Sequence, residues 1–248
     1  MKTIFDRAKL VTGGGLILAS AAIFADSTRF SDFTPLTTSA GPTLDESAPI
    51  LFGNPQFWQR SIADRLTQLA AGKPNAGAWD MNTVNETGPR KGRYLFTVFE
   101  QEPSGVQRHD LRTGKTDTIW TAQSASSHRS FDPSFWTPWG TLIVAEESWA
   151  TAVAGSTSPY GRLFELQNPT QAPAILNPVT AVSSAGAAFV HQNVIPRTSH
   201  EGIQFDSDGN MYFIDELNGG CLYKYTSAAK MANVKGGKAD YLDRKSVV

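Results

Sequence analysis

The chain has 248 residues with 22 Lys and Arg against 23 Asp and Glu, a formal net charge of −1, and it contains 21 Gly and 14 Pro. Charged residues make up only 18%, and this composition excludes a coiled coil, a helical bundle and a charged disordered tail, while it favours a turn-rich β protein. The lack of a basic surplus argues against nucleic-acid binding, and the single cysteine, Cys221, excludes an internal disulfide framework and a zinc ribbon.

Residues 1–25 have the pattern of an export signal peptide. Three cationic residues precede a short apolar stretch over residues 16–24, and Ala19-Ser20-Ala21 forms a small-residue cleavage motif. The apolar stretch is shorter than a membrane span; an N-terminal anchor helix is the alternative. We therefore expect an exported protein, periplasmic or extracellular, with no membrane segment after the signal is removed.

Residues 26–85 are predicted to hold an extended segment and one short helix that packs on the rest of the fold. The first part is rich in Ser, Thr, Pro and Gly. Asn54-Pro55 is typical of a helix start, with Asn as the N-cap and Pro at the first helical position. Apolar residues then recur at helical spacing as far as Leu69, and Gly72 ends the helix.

From residue 86 to residue 242 the pattern changes to short strands separated by turns. Alternating segments rich in aromatic and β-branched residues predict strands, over Arg93–Glu100, Gln107–Leu111, Lys115–Trp120, Trp139–Glu147, Gly161–Leu166, Gly202–Phe205, Met211–Asp215 and Cys221–Tyr225. Gly114 is expected to supply the positive φ of a hairpin. Residues 206–210 are similar to the start of an EF-hand loop, but the spacing favours a simple hairpin turn.

The strand pattern indicates part of an all-β propeller. The phrases Gly161–Leu166 (GRLFEL) and Gly220–Tyr225 (GCLYKY) have the same form, as equivalent strands of successive blades would have. At roughly 40 to 50 residues a blade, about three to four blades are present. Because a propeller closes to cover its edge strands, we expect further blades in the native protein. Residues 243–248 match one translation frame of a common sequencing adapter, so we interpret them as an artefact; a genuine basic tail is the alternative.

Acidic residues stand at the ends of several predicted strands. Glu146 and Glu147 end an apolar strand, and adjacent like charges are costly unless a cation lies beside them. Glu201 precedes one strand, and Asp215 with Glu216 ends the next. In a propeller these side chains would lie at the mouth of the central channel, where carboxylate oxygens could bind calcium. The alternative is a set of solvated acids.

Two phrases resemble the PhoX alkaline phosphatases. They are Thr137-Pro-Trp-Gly-Thr-x-x-x-x-Glu-Glu147, and Arg197-x-x-His-Glu201 followed by Tyr212-x-x-Asp215-Glu216. The resemblance extends over roughly residues 85–242. It implies an exported β-propeller enzyme that hydrolyses phosphate monoesters with a cluster of iron and calcium ions.

The resemblance also implies roles for individual residues. Glu147 and Glu201 would be metal ligands, Asp215 a further calcium ligand, and Arg197 the contact of the substrate phosphate, which suits its planar guanidinium. Where the family carries an iron-binding Cys, this chain has Asp132. An Asp there is a ligand for a hard cation rather than a thiolate, so we expect calcium, and iron is implied by the resemblance alone. Cys221 is interpreted as a small core residue.

The predicted function is therefore a secreted, metal-dependent phosphomonoesterase that acts on a small-molecule phosphate ester. Arg197 and Glu201 are the predicted catalytic residues. A gluconolactonase-like calcium propeller is the first alternative, because the phrase Glu201-Gly-Ile-x-Phe-Asp-x-Asp-Gly-Asn-x-Tyr resembles that family. The second alternative is a secreted propeller that is stabilised by calcium and has no catalytic activity.

Overall fold

The computed structural model describes residues 60–124, 126–149, 159–171, 186–217 and 220–226. The chain divides into two units, Met1–Ser61 and Ile62–Val248, and every helix and strand given below belongs to the second. The predicted signal peptide, most of the extended segment, the Asn54-Pro55 helix start and residues 243–248 lie outside the described residues. In the ranges given above, no helix is long and apolar enough to cross a membrane.

The helix starts later than predicted. Helix α1, Arg65–Ala70, begins after Asp64, whose side chain accepts a hydrogen bond from the backbone N–H of Thr67 at 2.7 Å. Residues 60–64 are not helical, so the short Asp side chain in extended backbone caps this helix. The predicted end is confirmed, because Gly72 follows the helix with a φ of 70°.

The strands form three antiparallel sheets, which confirms the predicted all-β class. The first sheet contains β1 Trp79–Val84, β2 Tyr94–Phe99, β3 Gly105–Asp110 and β4 Lys115–Thr121. The second contains β5 Phe131–Trp136, β6 Leu142–Glu146, β7 Leu163–Gln167 and β8 Ala188–His191. The third contains β9 His200–Phe205, β10 Met211–Asp215 and β11 Leu222–Tyr225. In each sheet the strands lie side by side in chain order.

Three strands, β1, β5 and β8, are missing from the sequence prediction. The first two have an irregular register that follows Trp79 in β1 and Phe131 in β5. Both contain Asp, and β1 adds Asn and β5 adds Pro, residues that are depleted in regular strands. A bulge accepts such residues because the ladder is interrupted there.

Three smaller predictions can be compared with the structure. The hairpin between β3 and β4 is confirmed, with Gly114 at a φ of 72°. The strand predicted from Trp139 starts only at Leu142, because Thr137 and Thr141 close a turn through a 2.9 Å backbone hydrogen bond. The prediction that Cys221 lies in the core is wrong: Cys221 is exposed, and it precedes β11.

The sheets pack against each other in the order of the chain. One apolar core joins the first and second sheets and contains Phe96, Val98, Phe131, Trp136, Val144 and Phe164. A second core joins the second and third sheets and contains Ile143, Ala145, Leu163, Ile203, Met211 and Phe213. Strand β5 contacts both β1 and β9, so the first strands of the three sheets are neighbours. The described strands do not close into a barrel, and the propeller stays a prediction.

The second and third strands of all three sheets pair in the same register. Equivalent pairs are Val98 with Val106, Ala145 with Leu163, and Ile214 with Leu222. The first two pairs are buried between sheets, whereas Ile214 is 38% exposed and Leu222 is 72% exposed. The third sheet therefore presents an apolar pair at a position that the first two sheets bury.

Candidate functional site

Six acidic side chains lie at one end of the three sheets, two from each sheet. In every sheet, one acid is the second residue of the first strand, and the other directly follows the second strand. The pairs are Asp80 and Glu100, Asp132 and Glu147, and Glu201 and Glu216. We call these six residues the carboxylate cluster.

An equivalent backbone hydrogen bond links the two chain segments that carry each pair of acids. The N–H of the glutamate after the second strand donates to the carbonyl oxygen of the residue two positions before the first-strand acid. These bonds run from Glu100 to Ala78 (3.0 Å), from Glu147 to Ser130 (2.8 Å) and from Glu216 to Ser199 (3.1 Å). The local backbone of the cluster therefore repeats three times.

Each first-strand acid also lies in the same kind of bulge. Two residues of the first strand, the acid and its successor, stand opposite one residue of the second strand. The bulges place Asp80-Met81 opposite Val98, Asp132-Pro133 opposite Ala145, and Glu201-Gly202 opposite Ile214. A bulge increases the local twist and re-aims a side chain, so these acids depart from the regular alternation of their strands.

Three members of the cluster, Asp132, Glu216 and Glu100, have a pKa that neighbouring carboxyl groups raise. Burial raises the pKa of Asp132, which is only 4% exposed, and the carboxyl groups of Glu201 and Asp80 raise it further through a hydrogen bond and like charge. Partial burial raises the pKa of Glu216, and Glu147 and Glu201 add to this shift.

Glu100 belongs to the same electrostatic group. Partial desolvation raises its pKa, followed by the charges of Asp80, Glu147 and Glu201. The neighbouring charges that raise the pKa values of Glu100, Asp132 and Glu216 are all carboxylates of the cluster. Gathering like charges costs free energy that a bound cation would offset.

The donor atoms of the cluster are all carboxylate oxygens. Such ligands suit calcium or magnesium, whereas thiolate and imidazole suit softer metals. Among the described residues, no three His, Cys, Asp or Glu side chains are already arranged around one point as a metal site. The carboxylates would therefore have to turn toward a common point to enclose an ion. Glu147, for example, accepts a hydrogen bond from the indole N–H of Trp149.

The adjacent His200 lies behind the cluster. It is fully buried, its Nδ1 is 3.0 Å from the hydroxyl of Thr198, and its ring centroid is 5.6 Å from that of Phe213. Burial lowers the pKa of His200 to about 4. The imidazole is therefore neutral at pH 7 and adds no charge beside Glu201.

The structure brings Asp132, Glu147 and Glu201 together, as members of the cluster, but it places the other two predicted site residues elsewhere. The Oδ1 of Asp215 accepts hydrogen bonds from the backbone N–H groups of Ser199 (3.1 Å) and Leu217 (3.4 Å). Arg197 is exposed, and its guanidinium donates to the carbonyl oxygen of Pro159.

Glu146, which the sequence pairs with Glu147, has its own cation. Glu146 is fully buried, and its carboxylate accepts hydrogen bonds from Nε and Nη2 of Arg162 at 2.9 and 2.6 Å. The cation expected beside the two glutamates is thus, for Glu146, a guanidinium. Only Glu147 joins the cluster.

Two cluster residues, Asp80 and Glu100, are missing from the predicted site, and Glu216 is predicted only as a strand-end acid without a ligand role. A repeat in the sequence marks them: an aromatic residue or His precedes each first-strand acid, in Trp79-Asp80, Phe131-Asp132 and His200-Glu201. Glu147 follows Asp132 by 15 positions, and Glu216 follows Glu201 by the same number. Asp80 and Glu100 are farther apart in the sequence. Because β1 is not predicted, Asp80 could not be recognised as the acid of a first strand.

Comparison of the sequence with protein-family models and with curated proteins finds no match. The function proposed below is therefore inferred from the geometry and charge of the described residues and from the phrases that resemble known families.

Proposed function

We propose that the carboxylate cluster binds calcium and that the protein is a metal-dependent hydrolase of phosphate monoesters. The observation that carries the proposal is the threefold repetition of an acidic pair at one end of three packed sheets. The raised pKa values of Asp132, Glu216 and Glu100 support it, because they mark carboxyl groups that are desolvated and lie beside other carboxyl groups. The resemblance of the phrases ending at Glu147 and Glu201 to the PhoX enzymes supports the choice of reaction.

The oxygen-only donor set fits calcium better than iron. Asp132 replaces the thiolate that the resemblance would require for iron, and Asp80, Glu100 and Glu216 add three more hard ligands. When bound, a divalent cation would neutralise the charge of a phosphate ester and polarise it. The six carboxyl groups lie at one end of the three sheets, where such an ion would bind.

Arg197 is the proposed phosphate contact. Its side chain is exposed, its guanidinium donates a hydrogen bond to the Pro159 carbonyl, and it forms no salt bridge with an acid in the described part of the chain. A planar guanidinium can donate two parallel hydrogen bonds to a phosphate group. In this proposal it steadies the developing negative charge of the phosphoryl group.

A secreted calcium-stabilised protein without catalytic activity is the second candidate. The position of Arg197 favours it, because its guanidinium donates to the carbonyl oxygen of Pro159 rather than to a member of the carboxylate cluster. Both candidates require calcium at the cluster, and they differ only in turnover.

Calcium binding is tested by calorimetric titration of EGTA-treated protein with calcium chloride. We expect Glu201→Gln and Glu216→Gln each to weaken the calcium affinity by at least about tenfold, because calcium affinity follows the charge of its ligands. Glu86→Gln is the matched control, since Glu86 is an exposed glutamate outside the cluster. The proposal fails if the wild-type protein takes up no calcium.

Turnover is tested with p-nitrophenyl phosphate against a panel of lactones, in calcium and with or without iron. We expect hydrolysis of the phosphate ester in calcium, and we expect Arg197→Ala to lower it by roughly 10²- to 10³-fold while calcium affinity is kept. Calcium binding without hydrolysis would select the second candidate. Lactone hydrolysis alone would select the gluconolactonase-like alternative.

A further inference from the structure

Two further acids lie directly beside the cluster, one residue before its glutamates. Glu146 ends β6 and Asp215 ends β10, so along an extended strand their side chains leave on the side opposite to Glu147 and Glu216. Both carboxylates bind backbone N–H groups of the segment that leads into a first-strand acid.

Glu146 holds the segment that leads into Asp132. Its Oε1 accepts a 3.0 Å hydrogen bond from the backbone N–H of Arg129, three residues before Asp132. Its Oε2 accepts one from the backbone N–H of Arg162 at 2.9 Å, and the Arg162 guanidinium neutralises it. Glu146 therefore joins the end of β6 to the chain before β5 and before β7.

Asp215 holds the segment that leads into Glu201. Its Oδ1 accepts a 3.1 Å hydrogen bond from the N–H of Ser199, while the carbonyl oxygen of Ser199 accepts the N–H of Glu216 at 3.1 Å. Both backbone polar groups of Ser199, two residues before Glu201, are thus bound by the end of β10. The shorter Asp side chain contacts an amide one residue closer to the cluster acid than Glu146 does.

The first sheet has no acid at the end of its second strand, and another side chain binds the backbone that leads into β1. Phe99 stands in place of the acid, and the N–H of Gly77 instead donates to the side chain of Asn75 at 2.8 Å. Gly77 and Ala78 then enter β1 with φ values of 88° and 43°. Only the second and third sheets therefore have an acid, Glu146 or Asp215, that ends the second strand and binds the backbone before the first strand. We call this arrangement the carboxylate clamp.

We propose that Glu146 and Asp215 are positioning residues of the calcium site: their carboxylates fix the backbone that carries Asp132 and Glu201, and they do not bind the ion. The inference rests on the proposed function, and it changes the role predicted for Asp215 from ligand to clamp. Holding repelling carboxylates in place before the ion arrives lowers the cost of ordering them on binding.

The test compares Asp215→Asn with Asp215→Ala, and Asp208→Ala is the control because Asp208 is an exposed acid in the β9–β10 turn. Asn can still accept the Ser199 amide, whereas Ala cannot. In EGTA, hydrogen–deuterium exchange of the peptide over residues 196–202 should be at least about tenfold faster in Asp215→Ala and unchanged in Asp215→Asn. A ligand without a clamp role would leave this metal-free exchange unaltered in both variants.

Calcium titration supplies the second readout. Asp215→Ala should weaken the affinity by about 10- to 100-fold, as loss of an outer-shell partner does, and Asp215→Asn should restore it to within about threefold of wild type. Equal losses in both variants would overturn the clamp role, as would unaltered exchange in Asp215→Ala. If the wild type bound no calcium, the proposed function would fail, yet exchange would still decide whether Asp215 holds Ser199. Should Asp215→Ala not fold, Asp215→Ser, whose side chain is shorter, replaces it.

Discussion

At the scale of the residue, neighbouring acids in this protein have opposite environments. Glu146 is buried and neutralised by Arg162, while its neighbour Glu147 raises the pKa of Glu216, another carboxylate. Asp215 and Glu216 also differ: Asp215 accepts the backbone N–H of Ser199, whereas Glu216 lies beside Glu147 and Glu201. Because successive side chains of a strand point to opposite faces, a shift of one residue separates a structural carboxylate from a candidate ligand.

Asp132→Asn is expected to stabilise the calcium-free protein and to weaken calcium binding. Burial and two neighbouring carboxyl groups raise the pKa of Asp132, so its charge at pH 7 is unfavourable, and a neutral isostere removes that cost. We expect a gain of about 1 kcal/mol in the free energy of unfolding in EGTA and a smaller rise of Tm on calcium addition. Thermal unfolding with and without calcium measures both effects, with Asp208→Asn as the control. A lower Tm in EGTA would contradict the prediction.

At the scale of the element, the three sheets repeat one plan with different burial. Each has a bulged first strand, a second strand that a glutamate directly follows, and a third strand whose first apolar residue pairs with the second strand. Leu163 and Leu222 occupy the same position in this plan, yet Leu163 is 1% exposed and Leu222 is 72% exposed. Secondary structure alone therefore does not determine how much an apolar side chain stabilises the fold.

The two leucines give a matched test of packing. Leu163→Ala should destabilise the protein by about 2–5 kcal/mol, because it opens a cavity between the second and third sheets. Leu222→Ala should cost less than about 0.5 kcal/mol, because its side chain is largely in solvent. Urea denaturation followed by circular dichroism measures both. Similar losses would show that Leu222 is covered in solution.

At the scale of the whole molecule, stability depends on groups whose pKa values folding shifts in opposite directions. Burial lowers the pKa of His109, His128 and His200 to about 4, whereas burial and like charge raise the pKa of Asp132 and Glu216. Acidification therefore favours the unfolded state through the histidines and the calcium-free folded state through the carboxylates. A comparison of variants at each pH separates the two groups.

His128→Phe is expected to reduce the loss of stability in acid. His128 lies among aromatic rings, with centroids 4.8 Å from Trp120 and 5.2 Å from Phe164, so a Phe ring suits the site. Between about pH 6.5 and pH 4 the unfolded His binds a proton that the folded His does not, so the free energy of unfolding falls as the pH falls. Relative to wild type, the variant should gain up to about 1.4 kcal/mol per pH unit in this window. Urea midpoints at pH 7 and pH 4.5 measure it; a constant difference would refute the lowered pKa of His128.

Part of the fold and of the site follows from local patterns along the chain. Alternation of apolar residues over Arg93–Glu100 predicts β2, Gly114 predicts the hairpin, and strand-end acids predict Glu147 and Glu201 as site candidates. These features need only the pleat of a strand and the backbone freedom of Gly, which are properties of a few consecutive residues. The bulged strands β1 and β5 are not predicted from such local patterns, because Asp, Asn and Pro interrupt the alternation of apolar residues.

By itself, the sequence determines the all-β class, most of the strands and one acid or more in two of the three pairs. Only the tertiary structure decides that Asp80 and Glu100 join Asp132, Glu147, Glu201 and Glu216, and that Asp215 instead binds Ser199. The physical reason is that membership in the cluster depends on bulge register and on the packing of β1, β5 and β9, which join residues more than a hundred positions apart.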